Sequence, residues 1–389
     1  MLKINKMFTP FRRLRHICLS AVMLLLAVVG PNSSCSGRGD AVAIEGDTVS
    51  LSHSSLLSIV DCDGYTVVDV KNPWSNGLLN RYILLPRDKE QLQGIPEGEV
   101  LEVPLQNVVL FSGVHAGLLE ELGAISAVRG VCDAQYNYNS YIRNGLSSGT
   151  VTDCGSSLDA DVERIIDTAP EALFVLPFEN GGYGKIDKLG MPVVECADYM
   201  ETSPLGCAEW IRFYGRLFGC ETVADSLFSK ICSDYFALKE LASSVETRPK
   251  LMCELWYGSA WYVPAGESTT GQIYSDAGAD YLFSSYRGSG SVPLAFETVL
   301  SMAASADIWL FKYNSPVDKS KDVMLAEYPG YAHFKPFKEG NMFACNTSKK
   351  RIFEETAFHP ERLLRELVAI FHSDLLPQYK PVYYEKVCQ

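Results

Sequence analysis

What the sequence lacks narrows its function first. There is no H-E-x-x-H, no G-x-G-x-x-G after a strand, and no G-x-x-x-x-G-K-[ST], because Gly184-Lys185 lacks the earlier glycine. No serine elbow is found between a strand and a helix, so the reading assigns no catalytic constellation. None of the 12 cysteines forms a C-x-x-C, which argues against a zinc ribbon or a thioredoxin-like site. Bases are also short, at 34 Lys and Arg against 47 Asp and Glu, a net charge of −13. No extended run of them lies beyond residue 16, which excludes nucleic acid as a partner, since phosphate contacts need clustered cations. Only one long apolar run exists, and it is N-terminal, so any membrane contact is made there. With 47% hydrophobic and 21% charged residues the chain is neither disordered nor collagen-like. Its 389 residues suit two domains at roughly 150 residues each.

Lys3, Lys6, Arg12, Arg13 and Arg15 precede the 13-residue apolar stretch Ile17 to Val29, which Gly30-Pro31 breaks. That stretch is too short to span a bilayer and matches a signal peptide over 1–34. Ser33-Ser34-Cys35 resembles a bacterial lipoprotein signal, with Asn32 where an aliphatic residue is usual. The resemblance implies lipidation at Cys35 and membrane contact through that lipid; cleavage without lipid and an uncleaved anchor are the alternatives. In each case the chain reaches the cell envelope outside the cytoplasm. Cleavage takes five bases and no acid, leaving 29 Lys and Arg against 47 acids, a net of −18. Ten cysteines follow Cys35; export permits disulfides, and small buried hydrophobes are the other reading.

Residues 35–61 are small and polar and read as a tether. Tyr65 to Val70 and Arg81 to Pro86 read as paired strands. Strand, loop and helix then alternate, with Leu158 to Asp167 a helix capped by Asp159, which points to an α/β fold with largely parallel strands. Residues 221–245 instead carry helical periodicity through Val223, Leu227, Ile231, Tyr235, Leu238 and Leu241. The expected layout is an N-terminal lobe over 62–220, a connecting helix over 221–245 and a C-terminal lobe over 246–389. Glu163 to Leu176 can be laid over Glu297 to Leu310, each a short helix followed by a buried strand, which supports a duplicated architecture.

Taken in order, these stretches resemble the helical-backbone substrate-binding proteins of ABC importers, which carry iron–siderophores, haem or vitamin B12. The resemblance rests on Val108 to Gly123, on Val162 to Val175 with Lys188 to Val194, on Phe296 to Trp309, and on the closing His359 to His372. It implies two lobes joined by one long helix, a monomer with no resident cofactor, and a metal chelate held between the lobes. Iron–siderophore or haem is the first reading of the cargo and a corrinoid the second. It also implies a permease dimer as partner, gripped by one acid on each lobe; the matching residues are Glu163 and Glu297. Each could equally be an acid favoured by a helix dipole.

Open α/β sheets bind ligands beyond the carboxyl ends of their strands. Four loops there are candidates: the one holding His115; the one holding Tyr136, Tyr138, Tyr141 and Arg143; Phe178 to Tyr183; and Trp256, Tyr257 and Trp261. Aromatic faces suit a planar or conjugated chelate, and Arg143, Arg287 and Lys312 would answer its negative charge. Core packing is the alternative for each aromatic, and a hydrogen-bonded core histidine the alternative for His115. A chelatase-like metal-handling enzyme, which shares a two-lobed shape, is the competing class.

Overall fold

The computed structural model describes residues 44–88, 94–179 and 181–388. The signal peptide, the lipidation call at Cys35 and the first part of the tether lie outside them. Among the described residues no helix is long and apolar enough to cross a membrane.

Most of the described part of the expected tether is folded. The strands β1 (Asp47–Thr48), β2 (Leu57–Cys62), β3 (Tyr65–Lys71), β4 (Leu78–Pro86) and β5 (Glu99–Val103) form one sheet in that order, antiparallel except between β4 and β5. Ile59, Val68, Val70, Tyr82 and Leu84 bury one face against the body of the protein. The segment before β2 looks like linker because its residues are small and polar, yet its backbone is anchored by two buried acids. The N–H groups of Ser52, His53 and Ser54 donate to Glu209 at 2.9, 2.8 and 2.7 Å. Those of Ser55 and Leu56, with both serine hydroxyls and the Trp210 indole, donate to Glu201.

Next come β6 (Val108–Leu110), α1 (Val114–Glu121), β7 (Val128–Val131), α2 (Ser140–Ser148), β8 (Thr152–Asp153), a small hairpin of β9 (Gly155–Ser156) and β10 (Asp159–Ala160), α3 (Val162–Thr168), β11 (Ala172–Val175) and β12 (Val193–Glu195). Five of these strands make a parallel sheet ordered β12-β11-β6-β7-β8. β6 and β11 are apolar and buried at every position, as a sheet covered on both faces requires. Helix α3 starts later than expected: Asp159 pairs in β10, and Asp161 is the cap, accepting from the Arg164 N–H.

Then α4 (Pro204–Glu209) and α5 (Ile211–Leu217) lead into α6 (Glu221–Ser243), the long connecting helix. Its 23 residues span about 34 Å at 1.5 Å per residue. The buried stripe is Ala224, Phe228, Ile231, Tyr235, Leu238 and Ala242, so the core-facing line is turned from the expected one and Val223 is exposed. Helix α5 sets that rotation: a Cβ at Gly215 would meet the Cβ of Ala224 at 2.4 Å, so the two helices touch where only glycine fits.

The second lobe contains β13 (Lys250–Cys253), β14 (Trp256–Tyr257), β15 (Ala260–Pro264), α7 (Thr269–Asp276), β16 (Asp280–Tyr281), β17 (Ser291–Leu294), α8 (Phe296–Ala303), β18 (Ile308–Tyr313), α9 (Lys321–Glu327), α10 (Lys335–Glu339), β19 (Met342–Asn346), α11 (Ile352–Thr356), α12 (Pro360–Phe371) and β20 (Glu385–Lys386). Its main sheet runs β16-β13-β18-β19-β20, parallel apart from β20, while β14, β15 and β17 form a three-stranded antiparallel flap. Helix α12 packs along α6, and α11 packs on α1, so the lobes also meet away from the connecting helix. Glu121 at the end of α1 pairs with Arg362 at 2.9 Å and lies 3.0 Å from the His359 ring. The ten cysteines are all free thiols, five of them fully buried.

Candidate functional site

Both lobes have the crevice that a reversal of strand order creates, and they use it differently. In the first lobe the chain moves from β6 outward through β7 and β8, then returns across β6 to β11 and β12. Ligand sites form beyond the carboxyl ends of strands at such a reversal. A cavity of about 380 Å³ opens there, between Phe111 after β6 and Val175 and Leu176 at the end of β11. Phe178 and Tyr183 line it, with Leu158 and the Lys185–Asp159 ion pair at its edge. The equivalent point of the second lobe lies between β13 and β18, and the chain itself fills it. Lys312 bonds Glu254 at 2.6 Å, and the Trp309 indole donates to the Glu254 carbonyl. Lys312 is thus spent on an internal partner rather than free for a ligand; burial pulls its pKa down, but Glu254 with Tyr274 and Tyr384 nearby carries it above the usual lysine value.

Residues of both lobes converge on a second cavity of about 250 Å³. Tyr136 and Tyr138 from the segment after β7 face Asn314 after β18, Thr347, Lys350 and Arg351 after β19, and Phe353 and Glu354 of α11. Tyr136 is 63% exposed and Phe353 56%, which leaves aromatic surface open to a ligand. The Arg143 guanidinium lies 5.3 Å from the Tyr138 ring centroid, a cation–π contact at the pocket edge. Arg351 pairs with Glu354 at 2.7 Å, and the other Glu354 oxygen accepts from the Tyr138 N–H at 3.1 Å. Glu354 therefore latches the Tyr138 loop to the opposite lobe. The aromatic faces and the Asn314 side chain stay open there, while Lys350 and Arg351 are each paired with an acid, Glu385 and Glu354.

The remaining sequence-derived candidates lie elsewhere. His115 is 1% exposed inside the first lobe, 3.2 Å from both Asp198 Oδ2 and the Tyr214 hydroxyl. Burial alone would lower its pKa, but Cys196 and Asp198 beside it carry it up to about 10. Trp261 was expected to face the ligand, yet it is fully buried and donates to the Cys253 carbonyl at 2.9 Å. Strand alternation turns it into the core while Tyr262 points out. Tyr141 lies half-buried on α2, its hydroxyl 3.5 Å from the Ser126 carbonyl near the amino end of β7, remote from the pocket. Arg287 is paired with Glu267. Trp256 stacks on Tyr328 at 5.4 Å, and Tyr257 is exposed at the hairpin; neither lines the two cavities described above. Gly145-Leu-Ser147-Ser-Gly149 does have G-x-S-x-G spacing, but it is the end of helix α2. Ser147 donates back to the Arg143 carbonyl and Gly149 is the left-handed cap, so it forms no elbow.

Residues the sequence reading missed are those after β19. Lys349-Lys350-Arg351 is a basic triplet whose last two residues line the pocket, and each base is held by an acid, Asp318, Glu385 and Glu354 in turn. A basic, polar loop straight after a buried strand was the available signal.

The sequence profile described as "Periplasmic binding protein" matches residues 108–348. The chain belongs to that family. The matched span begins at β6, so the sheet β1–β5 precedes it. An uncharacterized lipoprotein of Methanocaldococcus jannaschii is 27% identical over 304 residues, covering 74% of this chain and 70% of that one. Two solved structures share the fold. A periplasmic heme-binding protein from Pseudomonas aeruginosa gives a TM-score of 0.55 at 15% identity, covering 73% of this chain and 99% of its own. A protein of an ABC-type Fe3+-hydroxamate transport system from Saccharomonospora viridis gives 0.54 at 16%, covering 72% and 97%.

Proposed function

We propose that the protein is an extracytoplasmic lipoprotein, anchored at Cys35, that captures an iron–siderophore or haem between its lobes and hands it to the permease dimer of an ABC importer. It acts as a monomer, by binding rather than by turnover. The observation that carries this reading is the interlobe pocket, where Tyr136, Tyr138 and Phe353 offer aromatic faces beside Arg143, Lys350 and Arg351. Stacking surface with nearby cations suits a conjugated ligand of negative charge. The heme and hydroxamate proteins of the same fold support that class of cargo. Delivery is assigned to Glu163 and Glu297, each exposed in the first turn of its helix, α3 and α8. Both helices lead into a parallel strand and so run against it. Their first turns therefore sit at the carboxyl-end edge of the two sheets, the same edge as the pocket.

The deciding experiment is the absorption spectrum and mass of whatever co-purifies, followed by titration with haemin and with a ferric catecholate. Stoichiometric binding of either, recovered unchanged, is the expected result. A corrinoid spectrum reassigns the cargo within the family, and release of free metal on incubation replaces a carrier with a chelatase-like enzyme.

A further inference from the structure

Beneath the β6–α1 turn lies a buried cluster that the carrier reading does not use. His115 stands in the first turn of α1, Cys196 directly after β12, and Asp198 two residues on. An imidazole nitrogen, the thiol sulfur and a carboxylate oxygen lie within 4.8 Å of one another. The three residues are 1%, 0% and 5% exposed. The Tyr214 hydroxyl, from α5, reaches the same point at 2.6 Å from Asp198 Oδ2 and 3.2 Å from His115 Nε2. We propose that His115, Cys196 and Asp198 form a resident structural site for a thiophilic divalent cation of the zinc type, with Tyr214 as its outer partner.

Chemistry and charge both favour that ion. Nitrogen, thiolate and carboxylate are the donors that zinc takes, and a tetrahedral site with bonds of about 2.0–2.3 Å sets its ligand atoms roughly 3.3–3.8 Å apart. The His115–Asp198 separation of 3.2 Å, now a hydrogen-bond contact, is within a few tenths of an ångström of that spacing. A thiolate and a carboxylate cancel a dication, so the loaded site is neutral where unpaired charge is costly. The Tyr214 hydrogen bond orients the carboxylate, as outer partners of metal ligands do. The ion would join α1, the end of β12 and, through Tyr214, α5. A Cβ at Gly113, just ahead of His115, would lie 3.5 Å from Glu354, so the same turn borders the latch between the lobes. The ion therefore serves as a rivet under the binding edge, distinct from cargo iron in the pocket. With every ligand sealed from solvent, it exchanges only when this part of the fold opens.

Metal analysis of the purified protein tests the assignment. About one zinc per chain should survive dialysis against a mild chelator and be lost from Cys196→Ser and His115→Gln. Protein refolded with Co2+ should show a thiolate-to-cobalt charge-transfer band, absent in Cys196→Ser. Asp198→Asn, which removes a ligand's charge, should weaken zinc affinity by more than the roughly 10- to 100-fold that loss of an outer partner costs. Wild type without bound metal, without the cobalt band, and with one melting temperature in zinc and in chelator would overturn the proposal, leaving only a His–Asp ion pair. Zinc retained by both Cys196→Ser and His115→Gln would overturn it too, by placing the ion elsewhere. If neither variant folds, the wild-type cobalt band decides alone.

Discussion

Tyr136 and Tyr138 were legible as ligand-facing because an aromatic, polar loop after a strand has little else to pack against, and both line the interlobe pocket. Tyr141, three residues on, was not: Asn139 caps α2, accepting from the N–H groups of Tyr141 and Ile142, and the helix so started carries Tyr141 back toward Ser126. Trp261 shows the same limit, since the side of the flap that meets the core depends on partners far along the chain. Tyr138→Ala and Phe353→Ala should each weaken cargo binding by about 1–3 kcal/mol in calorimetric titration, as loss of an aromatic anchor does. Tyr141→Ala should leave affinity unchanged. His359 gives a second test at this scale. Its Nε2 lies 3.0 Å from Glu121, off the direction of a well-aimed hydrogen bond, while Nδ1 meets Glu361 at 2.9 Å. Burial opposes protonation, yet the two acids hold its pKa above 6.5; Glu121, in spite of burial, is held below 4.5 by His359 and Arg362. A raised histidine stabilises fully below its unfolded value and loses that contribution as pH rises through its folded one. A depressed carboxylate stabilises above its unfolded value and loses it as pH falls. The unfolding free energy that His359→Asn removes should therefore be greatest between pH 4.5 and 6.5 and shrink toward alkaline pH, as urea melts across pH would show.

Among the elements, alternating strands and helices could be read because apolar period and turn residues are local signals. The exact face of α6 could not, because the contact of Gly215 with Ala224 sets it. Nor could the fate of residues 52–56, whose composition is that of linker. Their structure comes from Glu201 and Glu209, roughly 150 residues away, and no local pattern announces such acceptors. Glu209→Ala would strand three backbone N–H groups, each costing about 1–3 kcal/mol if left unsatisfied. We expect a loss of several kcal/mol in denaturant unfolding, with faster amide exchange concentrated at residues 52–54. Equal exchange at those amides in variant and wild type would show that the anchor lies elsewhere.

At the scale of the molecule, the two similar helix–strand units visible in the sequence correspond to α3 with β11 and α8 with β18. Glu163 and Glu297 occupy matching first turns, and among the described residues neither makes an ion pair. Glu163→Ala and Glu297→Ala should leave cargo affinity and melting temperature nearly unchanged, because exposed acids contribute little to stability. Each should lower uptake by cells, and the double variant should lower it further. Loss of cargo binding in either single variant would move that acid into the pocket and end the docking assignment. The contacts of α11 and α12 with α1 add a second bracing between lobes, so scattering profiles with and without cargo should nearly superimpose.

The plugged crevice of the second lobe shows how two similar sheets can differ in what they leave open. Glu254 has φ of 61°, a left-handed backbone unusual for a residue other than glycine, and it is held there with its side chain on Lys312. One half of the molecule thus keeps this crevice open, while the other has furnished the same room with its own residues. The furnishing is reversible in principle: Glu254→Gln would unmask a largely buried lysine, and an anion would become the natural tenant. Small anions that leave wild type unaffected should then raise the melting temperature of this variant. A fold built on this plan holds a second anion site one substitution away, in the lobe whose crevice is now filled.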